Sequence, residues 1–259
     1  MSKTLPALFV GHGNPLNALR ENEYSRAWAS LGESIRRPRV ILCVSAHWCA
    51  SQTAVTAMAR PRTIHDFGGF PQALFEVEYP APGDAALADR VGAALAPVDV
   101  GRDGSWGLDH GAWSILVHMF PKADVPIVQL SIDETQPPLF HYELGKRLRP
   151  LRDEGVLLLA SGNLVHNLEA YAWGRHETGP YSWALRFEAE VRRLLDSGDD
   201  APLVEYGGLG RDALLSVPTP DHYLPFLYAL GARNEGEGVT YPVEGIDGGS
   251  ISMLGVQFG

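Results

Sequence analysis

Residues 5–15 read LPALFVGHGNP, an apolar run over 5–10 followed by Gly11, His12, Gly13, Asn14 and Pro15. The run has the length and composition of a buried strand. It stops at Gly11, the two glycines strip bulk from either side of the His12 imidazole, and Asn14-Pro15 turns the chain. A histidine at the C-terminal lip of a buried strand is where an α/β sheet places its chemistry. The pattern recurs. Residues 39–46, RVILCVSA, form a second buried run that ends in His47-Trp48, and residues 156–160, VLLLA, form a third that leads through Ser161-Gly162-Asn163 to His166. In a sheet whose core strands are parallel, those three ends lie together, so the runs predict one shared site.

Helical spacing fills the gaps. Tyr24, Ala27, Trp28, Leu31 and Ile35 give a helix over 22–37, ended by Pro38. Asp84 caps a helix whose apolar face includes Leu87, Val91 and Leu95. Further helices are expected over 114–120, from Pro137-Pro138 to about Arg149, over 180–197 and over 212–215. Strands are expected over 51–59, 98–100, 125–132 and 251–258. Asp221 is placed as the cap of a helix whose first turn holds His222. Residues 60–83 combine glycines and prolines with aromatics, the composition of a long binding or lid loop. No repeat or composition break divides the chain. The expected fold is a single α/β domain, residues 1–259, with a central mostly parallel or mixed β-sheet, helices on both faces and a metal site at the C-terminal ends of the strands.

Composition narrows the function. A net charge of −10 with no dense Lys/Arg block argues against nucleic acid as a partner. No apolar run reaches the ~20 residues of a membrane span, and MSKTLPALFV reads as a first strand rather than a targeting segment, so the cytoplasm is the default location. Cys43 and Cys49, about 20 Å apart on an extended strand, are too distant to bridge. Cys49 reads as a small filler rather than a soft metal ligand.

The nine histidines sort unevenly. His12, His47, His110, His166 and His222 sit where elements begin or end, beside Gly, Ser, Asn, Asp or Pro. His118 and His141 fall inside helical runs and read as structural, His176 reads as a solvated turn, and His65 is open. Several imidazoles without a dense acidic cluster suit a transition metal rather than Mg or Ca. Ligands drawn from distant parts of the chain fit an open catalytic site better than a small structural zinc site.

The segments GHGNP, SAHW, TIHDFGGFP, LDHGAW, SGNLVHNL and PTPDHYLP, in this order over nearly the whole chain, resemble the class III, LigB-like extradiol aromatic ring-opening dioxygenases, and among them the DOPA-4,5-dioxygenase branch. The resemblance implies metal ligation by His12, His47 and His222. It implies an acid/base role, or a fourth ligand position, for His166, and contact with substrate or O2 for His110. It places His65 and Phe67 in a loop over the ring. Trp113 and Tyr223 complete the expected substrate-binding set, and Trp48, Trp106 and Phe70 are further candidates for a flat aromatic pocket. The broader class uses two histidines and a carboxylate, whereas the third position here is His222. Asp221 next door is the alternative ligand, although an N-cap role already accounts for it.

The implied reaction is opening of a catechol ring by O2 to a muconic semialdehyde type of product, with Fe(II) as the active metal and Zn(II) as a competitor for the site. Rival readings are a zinc hydrolase on the same histidines, against which no HExxH-like glutamate is present, and a binding protein without catalysis. The oligomeric state is left open, and a monomer would suffice.

Overall fold

The chain alternates strand and helix: β1 (Ala7–Gly11), α1 (Glu23–Ser34), β2 (Val40–Ala50), β3 (Ala54–Thr56), α2 (Gln72–Phe75), α3 (Ala85–Leu95), β4 (Gly101–Asp103), α4 (His110–Met119), β5 (Ile127–Asp133), α5 (Pro138–Leu148), β6 (Val156–Gly162), α6 (Ser182–Ser197), α7 (Ala201–Val204), α8 (Arg211–Ser216), α9 (Leu224–Gly231), β7 (Val239–Val243), β8 (Ile246–Asp247), β9 (Ile251–Ser252) and β10 (Gly255–Phe258). The computed structural model describes residues 4–175 and 178–259, and His176 lies outside them.

Eight strands form one mixed sheet in the order β4-β3-β5-β2-β6-β1-β10-β7. β5, β2, β6 and β1 run parallel in its middle, while β10 and β7 add an antiparallel edge. At the other edge β3 is antiparallel to β5 and parallel to β4. β1, β5 and β6 are buried at every position because both faces of the sheet are covered. Phe9, Leu42, Val44, Leu158 and Ala160 face a core completed by α3, α5, α6 and α9, through Leu87, Leu144, Phe187 and Phe226. The alternating partners Leu8, Val10, Ile41, Cys43, Leu157 and Leu159 face Trp28 of α1 and Trp113 of α4. Each such side chain contributes about 1.5–3 kcal/mol on burial, so the alternation fixes strand orientation.

Local signals set the helix starts. Asn22 and Ser25 form a reciprocal capping box at α1, and Asp84 accepts the Leu87 N–H at α3. Asp109 accepts from Ala112 N and caps α4, so this helix begins at His110, one turn before the Ser114 start expected from the sequence. Four further expectations are corrected. The strand over 51–59 shrinks to β3, because the ladder with β4 pairs Ala54–Thr56 alone. Val98 still bonds back to Leu95 O, so pairing begins at β4 instead of over 98–100. The tail strand breaks into β9 and β10 at Met253-Leu254, where Met253 N bonds Gly245 O. Asp221 caps no helix: it lies in a turn closed by Tyr223 N and Leu224 N on Pro220 O, and α9 starts at Leu224.

Arg152 ties the ends of the chain together. It is fully buried, with its guanidinium donating to the carbonyls of Leu5, Ala232 and Phe258 and to both carboxylate oxygens of Glu237 at 2.7 Å. No helix among the described residues is long and apolar enough to cross a membrane.

Candidate active site

The three strand ends converge as their parallel pairing requires. β1 and β6 stay in register to Gly11 and Gly162, and His12 N then donates to Gly162 O. β2 outruns β6 and bulges against β5: Val44 pairs with Leu130, but Cys49 already pairs with Ile132. His47 therefore sits on a strand bulge rather than just beyond the strand. His222 is carried by the turn before α9 and is held to the end of β6 by Asn163 N donating to its carbonyl. One ring nitrogen from each of His12, His47 and His222 falls in a cluster whose members lie within 4.8 Å of one another.

Partners behind the rings fix their protons. Ser161 Oγ donates its one proton to Gly111 O at 2.6 Å, so it accepts from His12 Nδ1 at 3.0 Å. Asp221 hydrogen-bonds His222 Nδ1. Burial would raise the Asp221 carboxyl, but the bond to His222 outweighs it and holds the group below the usual range, so it accepts and the ring donates. Asp66 Oδ2 lies 3.3 Å from His47 Nδ1. Each Nδ1 thus points its proton outward and each Nε2 keeps its lone pair. The Nε2 atoms of His12 and His47 face each other at 3.1 Å. Two acceptors facing each other suit a shared cation, and 3.1 Å fits two nitrogens each about 2.0–2.1 Å from one metal. Burial and the neighbouring imidazoles push the His12 and His47 pKa values well below normal, so these two rings are neutral donors. Three imidazole donors fit a transition metal.

Two more histidines stand beside this trio. The His166 ring lies on the His222 ring, and its nitrogen groups with Asp221 and His222 rather than with His12 and His47. Burial, then the neighbouring His222 imidazole, lowers its pKa to about 3. His110, at the start of α4, packs on His47 with centroids 3.9 Å apart. Its backbone N–H and Nδ1 both meet Asp66, each at 2.9 Å. Burial works against the Asp66 charge, but the hydrogen bonds from His110 win and keep the carboxylate ionised. One carboxylate thereby orients two imidazoles from different elements. Asp109, buried beneath, is raised by burial and by Asp66, and is held by Ser45, Gln129 and Trp106.

A cavity of about 230 Å³ opens over the cluster. Its wall includes all five histidines, together with Phe67, Phe70, Tyr171, Trp173, Leu168 and Asp247.

Residues 8–243 match the family described as the catalytic LigB subunit of aromatic ring-opening dioxygenase. The chain belongs to this family. It is an extradiol ring-opening dioxygenase. Among its relatives, a protein of Escherichia coli K12 named 4,5-DOPA dioxygenase extradiol is 52% identical, with 100% of this chain and 97% of the relative covered. A Beta vulgaris protein of the same name is 35% identical, over 96% of this chain and 95% of the relative. A crystal structure of an uncharacterized Escherichia coli K12 protein superposes with a TM-score of 0.87 at 47% identity, covering 98% of this chain and 100% of that one.

In this LigB-family chain the expected metal and acid/base histidines come together, and the expected substrate-binding residues divide between the cavity wall and the packing behind it. Phe67 and Phe70 line the cavity. His65 does not: its Nε2 meets Val77 O at 3.0 Å, and its ring packs edge-on to Phe67 from behind. Trp113 is fully buried and donates to Ile64 O, so it supports the loop instead of facing the cavity. Tyr223 is likewise buried, with its hydroxyl on Leu203 O. Trp48 and Trp106 stack on each other away from the wall. The Cys49 thiol turns to Ala46 O and joins no ligand group. His118 and His141 lie inside α4 and α5, bonded to Asn17 O and the Tyr228 hydroxyl.

Asp66 was legible as an acid beside His65 in a site that needs a carboxylate behind its imidazoles. Nothing in the sequence marks Tyr171, Trp173, Leu168 or Asp247, which reach the wall from loops and the short strand β8.

Proposed function

We propose that the chain opens the ring of a catechol with O2, beside a hydroxyl-bearing carbon, to give a muconic semialdehyde type of product. The supporting observation is that one ring nitrogen from each of His12, His47 and His222 lies within 4.8 Å of the others, with His166 and His110 in the wall of the same aromatic-lined cavity. The names of the relatives point to a DOPA-like catechol. His12, His47 and His222 would hold the metal, Fe(II) in the active enzyme, with Zn(II) able to take the same donors. When bound, that metal supplies Lewis acidity toward the catechol oxygens and an electron path between ring and O2.

The chain's own residues do the rest. His166, neutral in the resting site, takes a catechol proton with the Asp221 carboxylate alongside to offset the charge it gains, and returns it as the ring opens. His110, held by Asp66 with its proton on Nδ1, presents Nε2 to the cavity. Phe67 and Phe70 flank the ring and exclude water. Among the described residues the wall holds no glutamate to serve as the base of a hydrolase. A cytoplasmic location agrees with this reading.

The test is oxygen uptake by metal-free protein reloaded anaerobically with Fe(II) and offered L-DOPA and simple catechols. Uptake with a yellow semialdehyde product supports ring opening. No uptake by protein shown to hold iron overturns it, and esterase or amidase activity of the zinc-loaded protein would then favour the hydrolase.

A further inference from the structure

The cavity wall carries a charge that ring opening does not use. Apart from the histidines, Asp247 is the one ionisable acid or base on it besides Tyr171, and no Lys or Arg lines it among the described residues. Asp247 is the last residue of β8 and pairs with Ile251, which in turn bridges to His166. Two strand spacings, roughly 10 Å, therefore separate the Asp247 and His166 backbones. A phenyl ring with a two-carbon arm spans that gap.

The carboxylate is held in place. The Tyr171 hydroxyl donates to Asp247 Oδ2 at 2.7 Å, and among the described residues no hydrogen bond reaches Oδ1. The Tyr171 ring is 7% exposed, packs edge-on to Trp173 and lies so close to Gly248 that a Cβ there would strike it. Arg20 bears on the Tyr171 hydroxyl from outside, but it is exposed and is not part of the wall.

We propose that Asp247, positioned by Tyr171, reads the charge of the substrate's side arm, so that the enzyme prefers catechols bearing an ammonium group over those bearing only a carboxylate. The proposal rests on the ring-opening reading above. An ammonium supplies the hydrogen-bond donors that Oδ1 lacks, and a lone carboxylate meets a like charge with no cation on the wall to offset it.

Two measurements test this. With the iron-loaded enzyme, kcat/KM for dopamine should exceed that for 3-(3,4-dihydroxyphenyl)propionate by about tenfold or more, the scale of a charged hydrogen bond. In Asp247→Asn the ratio of dopamine to 4-methylcatechol should fall by a similar factor. The amide oxygen still accepts from Tyr171, so a carboxylate that merely braces Tyr171 would leave that ratio unmoved, and this result would overturn the proposal. With the metal-free protein, phenethylamine should bind more tightly than 3-phenylpropionate, followed by calorimetry or by Trp173 fluorescence. Equal or reversed binding in the unsubstituted protein also overturns it, whether or not the variant folds. If phenethylamine is preferred but no catechol is opened, the ring-opening reading fails and the charge-reading role of Asp247 stands.

Discussion

The His166 ring lies flat against the His222 ring, with centroids 3.4 Å apart and planes 4° from parallel. The stack holds His166 beside the histidine trio yet outside it, since the clustered ligand atoms of His12, His47 and His222 do not include it. His166→Ala should lower turnover by about 10²–10⁴-fold, the usual contribution of a proton-transfer group, while most of the metal stays bound. Oxygen uptake and metal content on the same sample decide it; full activity would remove His166 from the chemistry.

Asp66 touches both His47 and His110, at 3.3 and 2.9 Å. Asp66→Asn should weaken metal binding or activity about 10–100-fold, as loss of a ligand-orienting carboxylate does. A metal titration followed by kinetics at saturating metal separates the two effects, the first reporting His47 and the second His110.

Gly111 lies in the first turn of α4, where alanine would normally be favoured over glycine by about 1 kcal/mol. Here a Cβ would lie 2.5 Å from Ser45 Oγ and 2.9 Å from His47 Cδ2. Gly111→Ala should therefore displace His47 and reduce metal affinity while the circular dichroism spectrum keeps its helical content. Unchanged metal affinity would show that the bulge in β2 yields without cost.

Breaking a buried ion pair from one side costs about 3–5 kcal/mol. Arg152→Leu strands Glu237 and three carbonyls, so denaturant unfolding should show a loss of that size. Burial opposes the Glu237 charge, but Arg152 and Asn234 outweigh it and hold its pKa below normal. The pair's contribution is thus present above the unfolded carboxyl value and is lost as pH falls through the folded one.

His141 is fully buried, and desolvation lowers its pKa from 6.5 to about 4. Between those values the unfolded chain binds a proton that the native chain refuses, so stability is lost as pH falls, by about 3 kcal/mol across the window. The melting temperature of the metal-free protein should drop from pH 7 to 4, and His141→Phe should flatten that slope. An equally steep slope in the variant would assign the effect to other groups.

The site was legible where chemistry follows chain order. His12, His47 and His166 follow apolar runs, and His222 sits in a Pro-rich turn, signals that a local window contains. It was illegible where neighbours in sequence part in space. Tyr223 follows His222, yet the imidazole joins the cavity wall while the tyrosine enters the core and bonds Leu203 O. Asp221 looked like a helix cap and instead orients the His222 ring. His65 belongs to the expected loop and Trp113 to the expected substrate-binding set, yet both bond to the loop's backbone surroundings instead of lining the cavity.

The sequence by itself determined the alternation of strands and helices, the burial of the sheet on both faces and the delivery of histidines to one end of it. Those properties depend on periodicity and on burial of apolar side chains, which short stretches encode. Only the tertiary structure decided that Asp66 would reach His110, that a bulge would carry His47 to the trio, and that Asp247 would face the cavity across β9. These outcomes depend on how distant segments pack against each other, and no local window of the chain holds that information.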